Sequence, residues 1–341
     1  MSPLILQGRL ERVKLMRHHT VMLFALWAAA ALAVGAVIQA VCVRRDRRRF
    51  PPPGRLVGGL HVREAGDGLP PVIFEAGIAA SSSNWSALQS AAAAHARTYS
   101  YDRPGVGWSP PQRRAGGSLG AMADGLHRLT RALEIPRPFV IVGHSFGTYI
   151  ARVYSHRYRD DVAALILVDP VTPEEWMRPG RAERLRLWRA AGWARLAALA
   201  APFGLIRLGL WGVLRRGGGN AGPLGVIPTM RRIAGEVAKL PPDVVPALRA
   251  RWSEPRFFTT MARYIQSLPS CAAEAASQPI PAGVPVTVLS SARQSRDQLA
   301  AHAAFATRHL VVEGTGHWIH LDHPALVVCE IRNVIDQNRK K

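Results

Sequence analysis

The stretch Pro138–Ala151, PFVIVGHSFGTYIA, decides how the chain is read. Phe139–Val142 is a short apolar run rich in β-branched residues, and it is followed by Gly143-His144-Ser145-Phe146-Gly147 and then by a helical pattern over Phe146–His156. A serine flanked two residues away on each side by glycine, between a buried strand and a helix, is a G-x-S-x-G turn. The glycines let strand and helix approach without Cβ clashes and leave the hydroxyl exposed at the apex. The helix N-terminus that follows favours negative charge beside it. Ser145 is therefore a candidate nucleophile.

Working outward, apolar β-branched runs alternate with helical patterns from Leu60 onward, the rhythm of parallel strands joined by crossover helices. Strands are expected at Leu60–Glu64, Val72–Glu75, Arg97–Tyr101, Phe139–Val142, Ala164–Val168, Val286–Ser290 and Arg308–Val312. Helices are expected at Leu119–Leu133, Phe146–His156, Gln298–Ala306 and Pro324–Gln337. The fold class is α/β, a doubly wound and mostly parallel sheet. Between Pro170 and Gly283 the strand rhythm stops, and Arg- and Leu-rich helical stretches broken at Gly217, Gly218 and Gly219 take its place. That block is too long for a loop. It is expected to be a helical lid, 171–283, inserted into a core made of 57–170 and 284–341, over the carboxyl ends of the strands where open α/β sheets bind ligands.

Four further runs fall in register with the elbow. Val72–Trp85 reads VIFEAGIAASSSNW, Tyr101–Ser109 reads YDRPGVGWS, Leu165–Pro170 reads LILVDP, and Val311–His323 reads VVEGTGHWIHLDH. Together with GHSFG they resemble the α/β-hydrolase superfamily, in its small bacterial lid-bearing members, over about Leu60–Asn338. The resemblance implies an α/β-hydrolase fold and a serine nucleophile at Ser145. It makes His317, in the Gly-His loop after the last strand, the base, and it assigns the oxyanion hole to the backbone N–H groups of Ile78 and Phe146. Ala76-Gly77 stands where the family usually has His-Gly, but the donors are main chain and do not need that histidine. Asp102, in the Asp-x-x-Gly-x-Gly-x-Ser loop, is expected to bond turn amides rather than to react. His320 and His323 are reserve bases with a more structural placement, and Asp322 is expected to cap the helix that starts at Pro324.

The acid that would orient His317 has two candidates. Relatives usually keep it just after the penultimate strand, but Ser291–Gln294 holds no carboxylate and Asp297 comes three residues late, in the first turn of a helix. Asp169, at the end of the strand that follows the nucleophile helix, is favoured because a carboxylate at a strand's carboxyl end is well placed to orient an imidazole.

At the N-terminus, Val21–Val43 is 23 residues without a charge, long enough at about 1.5 Å per residue to cross a hydrocarbon core of about 30 Å. A transmembrane helix is expected over 21–43, preceded by a basic segment (1–20) and followed by a basic, proline-rich linker (44–56). Four basic residues precede the span and six follow it by Arg55, which points to a cytoplasmic catalytic domain.

The formal net charge is +21, yet only four of the 44 basic residues are lysine, and the excess sits in 1–55 and 171–283. No Walker loop, zinc-finger spacing or RNA-binding aromatic motif accompanies it, so nucleic acid is not the expected partner. Cys42, Cys271 and Cys329 lie too far apart for a CxxC site, and neither metal nor cofactor is expected. Ser145, His317, an aspartate and two backbone donors imply acyl transfer through a serine ester, the substrate being a small, lipophilic carboxylic ester. Peptidase or acyltransferase chemistry on the same machinery, and a scaffold turned into a binding module, are the alternatives.

Overall fold

The computed structural model describes residues 3–112, 117–214 and 235–339. Eight strands form one sheet: β1 Arg55–Val57, β2 Leu60–Ala65, β3 Val72–Glu75, β4 Thr98–Tyr101, β5 Phe139–His144, β6 Val162–Val168, β7 Val286–Ser291 and β8 Arg308–Val312. Their order is β1-β2-β4-β3-β5-β6-β7-β8. Only β1–β2 and β2–β4 run antiparallel. From β4 to β8 every neighbour is parallel, which demands a crossover between consecutive strands and explains the helices between them.

The central strand β5 is buried along its whole length. Phe139 and Ile141 enter the core on one face of the sheet, and Val140 and Val142 the core on the other. A strand covered on both faces has no polar side to show, hence the unbroken apolar run in the sequence. Helices α1 Pro3–Arg49, α2 Ser86–Ala92, α3 Leu119–Ala132 and α4 Gly147–Arg157 precede β6. Between β6 and β7 the described residues carry the helices α5 Pro173–Met177, α6 Arg181–Ala200, α7 Leu205–Leu214, α8 Val244–Trp252 and α9 Pro255–Ser277. The glycines 217–219 expected to break this block lie outside the described residues. Helices α10 Arg296–Phe305, α11 Ile319–Asp322 and α12 Pro324–Arg339 complete the chain.

Two expectations change at the N-terminus. The helix does not stop at Val43 but runs to Arg49, because arginine is a good helix former and cations in a last turn interact favourably with the helix dipole. The expected linker 44–56 therefore shrinks to Phe50–Gly54, where three prolines end the helix. That connector is docked, since the Phe50 carbonyl accepts from Trp108 Nε1 (3.1 Å) and from Arg251 Nη2 (3.3 Å). Strand β1, unforeseen, starts directly after it at Arg55. Helix α1 from Met16 to Arg49 has a mean hydropathy of 2.5 in its most apolar part. It is long and apolar enough to cross a membrane, a property that N-terminal signal sequences share.

Candidate active site

Ser145 stands at the apex between β5 and α4 with φ of +52°, a left-handed conformation that a non-glycine residue holds only when its surroundings impose it. Its N–H donates to the Val168 carbonyl at 3.1 Å, which ties the apex to the end of β6. A Cβ on Gly147 would lie 2.4 Å from the Glu75 carbonyl oxygen, so glycine is required where α4 crosses β3. Gly77 also packs against the elbow: a Cβ there would come within 3.3 Å of Ser145 Cβ. The loop after β3 thus runs directly beside the serine.

His317 lies in the loop between β8 and α11, and three bonds hold that loop. The Thr315 carbonyl accepts from Ser291 Oγ (3.0 Å), Gly316 N–H donates to Asp322 Oδ2 (3.0 Å), and the His317 carbonyl accepts from His144 Nε2 (2.8 Å). Asp322 is consequently not the helix cap that the sequence suggested. It lies inside α11, and its carboxylate faces back onto the loop.

These elements bring the three distant residues into one chain. Ser145 Oγ is 2.8 Å from His317 Nε2, and His317 Nδ1 is 2.6 Å from Asp169 Oδ2. Asp169 is buried, while the imidazole is about one-quarter exposed. With an ionised Asp169 holding the proton on Nδ1, the Nε2 lone pair is free to accept from the serine hydroxyl. Burial alone would raise the Asp169 pKa, but hydrogen bonds from His317, Gln294 and the Ser291 N–H bring it below the usual aspartate value. Ser291 N donates to Oδ1 at 2.9 Å and Gln294 Nε2 to Oδ2 at 2.8 Å. The turn after β7, where a carboxylate was missing, instead supplies donors to the carboxylate on β6. Asp297 is exposed, in the first turn of α10 behind the Ser295–Gln298 capping box.

Among the described residues, neither the Ile78 nor the Phe146 N–H donates to an acceptor of the protein. His320 is buried against Trp85 (ring centroids 4.5 Å apart) and His144 (4.4 Å), and burial pushes its pKa down to about 3. It is a neutral packing residue. His323 is exposed at the end of α11. Asp102 accepts from the N–H groups of Ser82 (2.7 Å) and Trp108 (2.9 Å) and pairs with His61 Nδ1 (2.8 Å), a wholly structural set of partners.

The sequence reading missed the group that fixes the loop beside the serine. Glu75 and Arg103 form a buried ion pair, to which the Tyr101 hydroxyl donates, and Arg103 also donates to the Ala76 and Gly77 carbonyls. Its guanidinium lies over the Phe146 and Tyr264 rings, 5.8 and 5.1 Å from their centres. The signal was present: a glutamate ending an otherwise apolar buried strand needs a cation, and Arg103 follows the neighbouring strand. Among the described residues, no group of three or more histidine, cysteine or carboxylate side chains is placed to hold a metal ion. A cavity of about 490 Å³ lies off to one side, between β2, α3 and α9, and none of Ser145, His317 and Asp169 lines it.

The family model described as the alpha/beta hydrolase fold matches residues 70–207, a span that contains Ser145 and Asp169. The chain has the α/β-hydrolase fold. Among solved α/β structures, the chain superposes on a putative epoxide hydrolase from Pseudomonas aeruginosa with a TM-score of 0.62 at 20% identity, covering 82% of this chain and 93% of that one. A thermophilic esterase from Thermogutta terrifontis gives 0.54 at 23% identity, with the same coverages of 82% and 93%. At such identities the likeness concerns the fold. In sequence, the chain is 30% identical over 99 residues to the uncharacterized protein YqjL of Bacillus subtilis, 29% of this chain and 39% of that protein. It is 30% identical over 103 residues to an AB hydrolase superfamily protein of Gibberella zeae, 32% of whose length is spanned. The aligned part thus spans less than two-fifths of either relative.

Proposed function

We propose that the chain is a membrane-anchored serine hydrolase that cleaves a lipophilic carboxylic ester through an acyl-serine intermediate. The observation that carries this reading is the hydrogen-bonded chain Ser145–His317–Asp169. Ser145 Oγ attacks the acyl carbon while His317 Nε2 takes its proton, and Asp169 holds the imidazole in the receptive tautomer and stabilises the imidazolium. The Ile78 and Phe146 N–H groups receive the oxyanion, a donor of this kind being worth about 3 kcal/mol of barrier. His317 then passes the proton to the leaving alcohol, and water, activated by the same nitrogen, releases the acid.

The epoxide hydrolase named among the structural neighbours suggests a second substrate, but serine chemistry disfavours it. Attack of Ser145 on an epoxide carbon would open the ring to a serine ether and an alkoxide, leaving no carbonyl for water to attack and so no route back to free Ser145. An acyl ester provides that carbonyl. The domain plan that goes with this reading is a core of 57–170 and 284–341 under a helical lid, 171–283. The apolar part of α1 is the anchor, and the excess of basic residues after it favours a cytoplasmic catalytic domain. A fluorophosphonate probe is the direct test: the full-length chain should be labelled stoichiometrically and Ser145→Ala not at all. Equal labelling of both would sink the assignment.

A further inference from the structure

Resting on the reading of α1 as a membrane anchor, a second element of the molecule shares its depth. The turn at Ala201–Phe203 packs directly on α1 at Gly35, where a Cβ would fall 2.5 Å from the Phe203 carbonyl oxygen. Gly35 lies eight residues before Val43, the last residue of the uncharged run, so the contact sits about 12 Å along the helix axis into that run. Gln39, the polar residue of the apolar run, is buried against the same insertion: its Nε2 donates to the Ser253 carbonyl (3.0 Å), and its Oε1 accepts from Arg207 Nε (2.7 Å). Arg207 reaches on to Asp46 (2.6 Å) and Ser253 Oγ (2.9 Å). The α6–α7 hairpin is therefore bolted to the anchor inside the span rather than below it.

The composition of the hairpin fits that depth. Helix 181–203 and helix 205–211 meet at 98° at Gly204, whose φ of +77° makes the turn. Trp193, Leu196, Leu199, Leu205, Leu208 and Trp211 are all exposed, Trp193, Leu199 and Leu208 by more than two-thirds. From Ala190 to Trp211 the chain has no acidic residue and two basic ones, Arg195 and Arg207, both turned to protein partners, Arg195 to Gln266 at 2.9 Å. The first half of α6 carries Arg181, Arg184, Arg186 and Arg189 instead, so the helix is basic at one end and apolar at the other. Backbone groups at the turn are also satisfied internally, with Gly204 N–H donating to Ala201 (3.1 Å) and Leu208 N–H to Gly204 (3.0 Å), as hydrocarbon requires.

We propose that the α6–α7 hairpin is a second membrane-embedded element, its turn lying among lipid acyl chains beside α1 and the arginines of the first half of α6 at the headgroup level. The covering of the site would then be fixed in the bilayer, and the ester would be one dissolved in lipid. The test uses the wild-type, full-length chain reconstituted into phosphatidylcholine vesicles doped with a phosphatidylcholine that bears a photoactivatable diazirine at the end of one acyl chain. After irradiation and cleavage at arginine, adducts should be found on peptide 196–207 and on the anchor, and be absent from α12 on the far side of the core. Adducts on the anchor but none on 196–207 would overturn the embedding while leaving the anchor intact; adducts on neither would remove both. Labelling of 196–207 by a headgroup-borne diazirine alone would mean surface adsorption, and a crosslink from 196–207 to a second copy without lipid adducts would mean a protein interface. Either result rejects the proposal.

Discussion

Asp169 shows how a single side chain settles a question that its neighbourhood in the sequence leaves open. Both candidate acids sit near the end of a strand, and only the fold tells which one meets His317. Asp169, itself at a positive φ of +43°, collects three donors, two of them from the turn in which an acid was sought. Removing its charge should leave the imidazole in the wrong tautomer. We expect Asp169→Asn to fold and to lose about 10⁴-fold in kcat, near the loss of Ser145→Ala or His317→Ala, since such residues act as a unit. Asp297→Asn should retain most activity and cost about 0.3–1 kcal/mol of stability from a lost first-turn charge. Steady-state ester hydrolysis by the two variants checks this, and an inactive Asp297→Asn with an active Asp169→Asn would reverse the assignment. Ser145 and His317 were legible because each carries a local signature. Gln294, His144 and Arg103 were not, because their meaning lies in partners 125, 173 and about 27 residues away.

At the scale of elements, long β-branched runs and the elbow could be read from the sequence almost to the residue, as in Val72–Glu75 and Arg308–Val312. Strand β1 was not. Its three residues are too few to show a period, yet Val57 and Leu60 pair across Gly58-Gly59, both with positive φ, a two-residue glycine hairpin turn that the sequence did advertise. The junction of β3, β4 and the loop after β3 depends on the Glu75–Arg103 pair, which is buried on both sides. Arg103→Met would leave a glutamate uncompensated in the core and free the Ala76 and Gly77 carbonyls beside Ser145. Breaking a buried pair in this way typically costs about 3–5 kcal/mol, and a loop holding the Ile78 N–H loosens with it. We expect denaturant midpoints to fall accordingly and kcat to fall with them. Adding Glu75→Gln should recover part of the stability but not of kcat, because the carbonyl contacts stay lost. A single variant as stable and active as the wild type would show that the pair does not position the loop.

For the molecule as a whole, charge and protonation are the properties that no local motif announces. If α1 spans the bilayer, the full-length chain should stay in the pellet after carbonate washing of membranes; its release would remove the anchor. The net charge of +21 grows further as histidines protonate, but His144, His302 and His320 are buried and resist it. Desolvation lowers the pKa of each below the free value, that of His320 to about 3. The sign follows from proton uptake. Below pH 6.5 the unfolded chain protonates these rings and the folded one does not, so stability is complete above about pH 7 and falls as the pH drops. Each such residue contributes a slope of up to about 1.4 kcal/mol per pH unit until its folded pKa is reached. Asp169, with a depressed pKa, adds to the loss only in the range where free carboxylates protonate, near pH 4 and below. The interval from pH 6.5 to 5 therefore separates the histidines from Asp169, while Glu75 and Glu175, whose pKa values burial raises, act in the opposite sense. In that interval the free energy of unfolding, measured by urea titration of the full-length chain in detergent, should decline steeply. His320→Gln, which keeps a polar side chain of similar length without the titration, should be less stable at pH 7.5 through lost packing on Trp85. Its decline should nonetheless be shallower by one histidine's share. Parallel slopes for variant and wild type would mean that His320 takes up its proton in the folded state, against the burial seen beside Trp85 and His144.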